Sequence, residues 1–181
     1  MFDPFLDSKR PADWPVHPAA LSDEDLLKQC RIGRDRGSGP GGQHRNKVET
    51  TVVLTHEATG ISVQAGERRT ARENMQTALR RLRRALAARH RLPVPTGEAR
   101  TETWRRRTQG RRLVVSERHQ DHPAMVAEAM DMLAATGWEP RKASRRLLVS
   151  PTQIVRLVHE CPEAWTVLNE ERRRRGLHPL K

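Results

Sequence analysis

Residues 37–47 read Gly-Ser-Gly-Pro-Gly-Gly-Gln-His-Arg-Asn-Lys, with four glycines and a proline in the first six positions. Side chains cannot crowd such a backbone, and Gly41 and Gly42 can adopt positive φ at its tip. Gln43 follows as a neutral amide, and His44, Arg45, Asn46 and Lys47 come directly behind it. The chemistry this suits is close approach of the backbone to a partner, with cations directly behind the tip for a polyanion. A conventional hydrolytic set is not visible. There is no Gly-x-Ser-x-Gly, no His-Glu-x-x-His and no cysteine near the loop, so the chain supplies no evident nucleophile, base or metal, and no cofactor is expected.

The elements that must hold this loop are strands. Lys28 to Arg34 alternates weakly, and Glu49 to His56 is rich in Thr and Val, which favour extended backbone. Glu57-Ala-Thr-Gly60 is turn material and Ile61 to Ala65 alternates apolar and polar residues, which predicts a hairpin. Upstream, Ser22 with Asp23, Glu24 and Asp25 predicts a short helical turn. Downstream, Thr70-Ala-Arg-Glu73 is a capping box, and Met75, Leu79, Leu82 and Leu86 recur at helical spacing. A helix over about 70–90 is expected, with its apolar stripe on the sheet and Arg80, Arg81, Arg83 and Arg84 solvated. The fold class expected is α+β: a small antiparallel sheet on one long helix, a disordered glycine loop, and a mainly helical C-terminal region.

The chain of 181 residues carries a formal charge of +12. Residues 1–66 sum to −1 and residues 67–181 to +13, so the anion-attracting part comes after the loop. No stretch pairs the basic residues with large apolar ones, which favours nucleic acid over an anionic membrane. Cys30 and Cys161 are far apart and form no Cys-x-x-Cys, consistent with a reducing compartment. The acidic start, Met-Phe-Asp-Pro-Phe-Leu-Asp, reads as neither signal nor transit peptide, and no apolar run approaches membrane-spanning length. A cytoplasmic, monomeric protein is expected, organised as an extended leader (1–20), a small domain (21–92), a basic linker (93–122) and a helical region with a basic tail (123–181).

The loop, the Thr/Val strand ending in Thr55-His56, and Ala58-Thr-Gly-Ile61 together resemble the catalytic domain of class I peptide chain release factors. The resemblance continues through Gln64, Arg68-Arg69, Asn74, Ala78-Leu79 and Leu82, covering roughly residues 21–90. It implies hydrolysis of the peptidyl-tRNA ester on the ribosome, with the loop inserted into the rRNA of the large-subunit peptidyl-transferase centre. Gly41 and Gly42 would permit the close approach. The Gln43 backbone N–H would face the oxyanion, and its side-chain amide would admit water while excluding bulkier nucleophiles. His44, Arg45, Asn46 and Lys47 would meet RNA at the loop's root, as would Arg68 and Arg69; the family more often has an apolar residue where Arg45 stands. The resemblance also implies Gln43 as the acceptor for a glutamine methyltransferase.

Nothing outside residues 21–90 resembles the stop-codon-reading parts of those factors. The short layout is similar to the ribosome-rescue hydrolases, whose basic extension lies in the empty messenger channel. Arg105, Arg106, Arg107, Arg111 and Arg112 would play that part, as would Arg172–Arg175. Phosphate contacts of this kind give affinity without sequence reading. In those hydrolases the extension is a short tail, whereas here some 60 residues from Pro123 carry helical patterning.

Met125, Ala129, Met132 and Leu133 form one apolar face closed by Gly137, and Pro140, Ser150-Pro151 and Pro162 open three more helices. Ala143, Ser144, Leu147, Val149, Ile154 and Leu157 match a helix-turn-helix, with Leu148 where glycine is usual. A plain helical hairpin and a nucleic-acid-binding unit both fit. Trp138 and Trp165 read as core. Two other functions compete with release from stalled ribosomes: release on split large subunits or damaged ribosomes, and DNA-binding regulation with a relic first domain.

Overall fold

The computed structural model describes residues 11–35 and 50–181. Three strands form an antiparallel sheet in the order β1 (Cys30–Asp35), β2 (Thr51–His56), β3 (Ser62–Ala65). The β2–β3 turn closes at Gly60 with φ 68°, a left-handed conformation that glycine adopts without a Cβ penalty. Along β2, burial alternates: Val52, Leu54 and His56 face inward, and Thr51, Val53 and Thr55 are half-buried. That period-two pattern is what locks the strand's register.

Two helices flank the sheet in sequence. The short α1 (Asp23–Lys28) is capped by Ser22, whose hydroxyl accepts from the Asp25 N–H at 3.0 Å. The long α2 (Ala71–Arg89) starts at Thr70, which accepts from the Glu73 N–H and donates to the Glu73 carboxylate at 2.8 Å. Both caps match the sequence expectation and satisfy N–H groups that the helix itself leaves unpaired.

More of α2 is covered than its single apolar stripe predicts. Leu79 and Leu82 belong to a stripe that contacts the sheet, but Ala85, Leu86, Ala87 and Ala88 are all buried in succession. The reason is that α2 also packs against α4 (His122–Ala135) and α7 (Pro162–Arg174). Small alanine side chains let those helices approach closely. One continuous core therefore runs from Val52 and Leu54 through α2 to Met125, Met130, Leu133, Ile154 and Leu168.

The segment expected as a linker is folded onto this core. It contains α3 (Glu102–Arg106) and a two-residue ladder between β4 (Thr108–Gln109) and β5 (Arg112–Leu113). Trp104, which precedes three arginines in the sequence, is fully buried, and its indole N–H donates to the Leu147 carbonyl at 3.0 Å. Arg146 donates to the carbonyls of Pro95, Thr96 and Gly97, and the Gln153 amide oxygen accepts from the Leu113 N–H. The leader's described end is docked too: His17, Pro18 and Ala19 are buried around a 3-10 turn.

The α5 (Pro140–Leu147) and α6 (Pro151–His159) pair begins where the proline and serine signals predict. Leu148 adopts the left-handed conformation, φ 52° and ψ 37°, so the turn has the geometry for which glycine is usual. Trp138 is buried, with the Arg175 guanidinium 5.6 Å from its ring centroid. Trp165 is half-buried and edge-on to His159. Among the described residues, no helix is long and apolar enough to cross a membrane.

Candidate functional site

The ends of β1 and β2 are paired, with Asp35 opposite Thr51. The chain therefore leaves the sheet and returns to it at one register position. Gly41, Gly42, Gln43, His44, Arg45, Asn46 and Lys47 all belong to the intervening stretch and lie outside the described residues, as does the expected disorder of that loop. What the structure describes is the platform from which the stretch departs.

Asn74 organises that platform. It sits in the first turns of α2, is fully buried, and makes three side-chain hydrogen bonds. Its Nδ2 donates to the Thr50 carbonyl at 2.7 Å and to the Arg68 carbonyl at 3.1 Å, and its Oδ1 accepts from the Arg68 N–H at 2.8 Å. One amide thus ties the start of β2 and the β3–α2 connection to the helix. A buried amide with its donors and acceptor used in this way rigidifies its surroundings, whereas an unpaired one would be costly.

Gly66 contributes a close approach at the same place. A Cβ there would lie 2.5 Å from Thr51 Oγ1 and 3.3 Å from Thr51 Cβ and Cγ2. Glycine is required for space rather than for an unusual φ. Next to it, Arg81 donates to the Gln64 carbonyl at 2.6 Å and to Glu67 at 2.7 Å. The Glu67 carboxyl is held below its ordinary range by backbone N–H groups, its own foremost, and by Arg81.

At the far end of β2, His56 is buried. Its Nε2 lies 3.0 Å from Gln29 Oε1 and its Nδ1 lies 2.9 Å from Thr59 Oγ1. Gln29 Oε1 can only accept, so Nε2 carries the proton and Nδ1 accepts from the threonine hydroxyl. Burial pushes the imidazole below its ordinary pKa, favouring this neutral form. Both ends of the loop-bearing strand are therefore pinned by buried polar side chains.

Of the predicted RNA-contacting arginines, Arg68 and Arg69 are exposed in the β3–α2 connection, and the Asn74 amide fixes the Arg68 backbone at the loop's root. Arg105, Arg106, Arg107, Arg111 and Arg112 belong to the segment that Trp104 and Leu113 tie to Leu147 and Gln153. Arg105, Arg111 and Arg112 are exposed. Arg106 and Arg107 both reach Asp121, at 3.2 and 2.8 Å, and the second is half-buried. The Asp121 carboxyl is depressed despite a desolvation cost that opposes it, because Arg107 bonds it directly. A basic linker expected to meet RNA is thus partly committed to internal pairing.

Two features of the platform escape a reading of the sequence. Gly66 carries no local sign, because its constraint comes from Thr51 across the sheet. Arg80, Arg84 and Arg118, which read as ordinary solvated positions or do not stand out at all, line one cleft. The helical spacing of Arg80 and Arg84 is visible in the sequence; Arg118 joins them only through the fold.

The RF-1 domain family model matches residues 27–122, about half of the chain. The peptide chain release factor 2 of Sulfurovum sp. (strain NBC37-1) is 42% identical over 74 residues, covering 39% of this chain and 20% of that relative. The peptide chain release factor 1 of Xylella fastidiosa (strain 9a5c) is 36% identical over 90 residues, 50% of this chain and 22% of the relative. The peptide chain release factor 2 of Clostridium perfringens (strain ATCC 13124) is 36% identical over 98 residues, 49% of this chain and 27% of the relative. The chain spans about a fifth to a quarter of the length of these relatives. The matched region holds the glycine loop, the three-stranded sheet, α2 and the Asn74 platform, and the chain belongs to the RF-1 domain family, the GGQ-containing catalytic domain of class I peptide chain release factors.

Proposed function

We propose that this protein hydrolyses the peptidyl-tRNA ester on the ribosome without reading a codon, and so frees nascent chains from stalled ribosomes. The observation that carries the reading is the family match over residues 27–122, which includes Gly41-Gly42-Gln43 intact between β1 and β2. Ester hydrolysis needs a placed water and donors aimed at the developing oxyanion. In this reading the Gln43 N–H is one such donor, the two glycines permit its approach, and the peptidyl-transferase centre supplies the remaining surroundings. The Gln43 side chain restricts entry to water, and a glutamine methyltransferase modifies its nitrogen.

Codon independence is supported by the helices that lie beyond the matched region. Residues 123–181 fold as four helices carrying exposed Arg141, Lys142, Arg145, Arg173, Arg174 and Arg175. Such side chains hold phosphates without discriminating bases. His44, Arg45, Asn46, Lys47, Arg68 and Arg69 contact rRNA around the loop, and the exposed Arg105, Arg111 and Arg112 extend the basic surface. The protein works where ribosomes do, in the cytoplasm, as a monomer.

The reading is tested by peptidyl-tRNA release on ribosomes with an empty A site, on ribosomes with messenger filling it, and on free large subunits. Release on stalled ribosomes lacking a stop codon supports it. Release confined to free large subunits would move the substrate to split ribosomes, and release only at a stop codon would overturn codon independence.

A further inference from the structure

A cleft of about 870 Å³ lies between the start of α1, the middle of α2, and the segment leading into α4. Its α2 wall carries Arg80, Arg83 and Arg84, and its opposite wall carries Arg118. Arg83 is committed: it donates to the Ala19 carbonyl at 3.0 Å and to Asp23 at 2.7 Å. Arg80, Arg84 and Arg118 are exposed. Arg80 bonds only the Thr77 hydroxyl among the described residues, at 3.2 Å.

The carboxylates around the cleft do not neutralise these three. Asp23 is held by Arg83, and Asp121 by Arg106 and Arg107. Glu117 is left as the exposed carboxylate facing three exposed guanidiniums. Ser22, Thr103 and Gln120 line the same walls and add neutral hydrogen-bonding groups. The large exposed apolar side chains of the described residues, Val16, Ile32 and Val114, are elsewhere.

We infer that this cleft is a second RNA-binding site, in which Arg80, Arg84 and Arg118 grip the sugar–phosphate backbone of a single-stranded segment. Arg80 and Arg84 stand one helical turn apart, about 6 Å along the axis, and Arg118 reaches the same space from across the cleft. Guanidiniums of this kind bind phosphate through planar, multiple N–H donors. At about 870 Å³ the cleft lies near the upper end of ligand-site volumes, roomier than one inorganic phosphate needs. An RNA strand presents phosphates to the guanidiniums and 2′-hydroxyls and base edges to Ser22, Thr103 and Gln120. The site draws on the middle of α2 and on residues 117–121, and its lining includes neither Arg68 nor Arg69. It rests on the ribosomal reading only in choosing RNA among polyanions.

The test is fluorescence anisotropy of the full chain with a labelled oligouridylate over a range of KCl concentrations, with no ribosome and no ester present. The wild type should bind, with a linear fall of log affinity against log salt. Arg80→Gln/Arg84→Gln/Arg118→Gln should weaken binding at least tenfold and reduce that slope by about 2, at roughly 0.7 for each phosphate no longer neutralised. Arg31→Gln/Arg72→Gln/Arg89→Gln removes the same charge from exposed positions outside the cleft and should leave most of the slope in place. No wild-type binding, an unchanged slope in the cleft variant, or equal losses in both triple variants would overturn the inference. Displacement of the RNA by an equal concentration of oligoglutamate would assign the cleft to an acidic protein and overturn it as well. A chain inactive in peptide release that still binds RNA through these arginines would refute the release reading alone.

Discussion

The Asn74 side chain donates to the Thr50 carbonyl at 2.7 Å, joining the first turns of α2 to the point where the chain returns from the glycine loop. The same amide holds both backbone groups of Arg68. Thr50, where the chain re-enters the described residues, and the basic flank are thereby fixed to one helix, which is how a scaffold positions a functional segment.

Asn74→Ala should therefore be costly twice over. It strands the Thr50 carbonyl and the Arg68 N–H in a partly buried setting, and each such loss costs about 1–3 kcal/mol. We expect a fall in unfolding free energy of about 2–4 kcal/mol by urea denaturation. Asn74→Asp should recover only part of this, because a carboxylate can accept from the Arg68 N–H but cannot donate to either carbonyl. Equal stability of Asn74→Asp and wild type would contradict the role assigned to Nδ2.

Gly66→Ala places a methyl 2.5 Å from Thr51 Oγ1. Overpacking of this kind typically costs about 1–3 kcal/mol. Adding Thr51→Ala removes Oγ1 and Cγ2, so the double variant should regain most of the loss. Additive losses in the two single variants and the double would show that the contact is not the cause.

Trp104 tests the folding of the 93–122 segment onto the helices. Trp104→Phe keeps an aromatic ring but removes the donor to the Leu147 carbonyl, for an expected loss of about 1–3 kcal/mol. Trp104→Ala should cost more, about 3–5 kcal/mol, since a fully buried side chain is emptied. A denaturation midpoint unmoved in Trp104→Ala would mean the segment is not docked in solution.

His17 makes stability depend on pH. Burial, as the largest cause, lowers its pKa to about 4, with Arg91, His90 and His56 contributing repulsion. The folded pKa lies below the unfolded value of 6.5, so acid favours the unfolded chain. The contribution of neutral His17 is complete above pH 6.5, declines as pH falls, and is lost on passing through pH 4. Its full size is about 3 kcal/mol. His17→Asn retains an acceptor for the Ala19 N–H, which His17 Nδ1 now accepts at 3.1 Å, and removes the titration. The variant should show a shallower loss of stability between pH 6.5 and 4; an unchanged pH profile would remove His17 as a source.

The helices are legible in the sequence where local chemistry marks an end. Thr70 with Glu73, Pro140, Ser150-Pro151 and Pro162 each sit at a boundary that the structure repeats. The β2–β3 hairpin is legible for a similar reason, since Gly60 marks its turn and alternation marks its strands. Relationships between distant partners are not. Trp104 among arginines looks solvated until α5 supplies Leu147, and the alanines of α2 look neutral until α4 and α7 close on them. The basic cleft likewise needs Arg84 and Arg118 brought together from separate segments.

The central claim concerns Gln43 and is tested most directly by the rate of peptidyl-tRNA hydrolysis on stalled ribosomes, with ribosome binding measured in parallel. Gln43→Pro removes the backbone N–H assigned to the oxyanion. Loss of one such donor typically lowers a rate by about 10²–10³-fold. The account predicts a fall of that size with binding retained. Equal release by wild type and Gln43→Pro would contradict it.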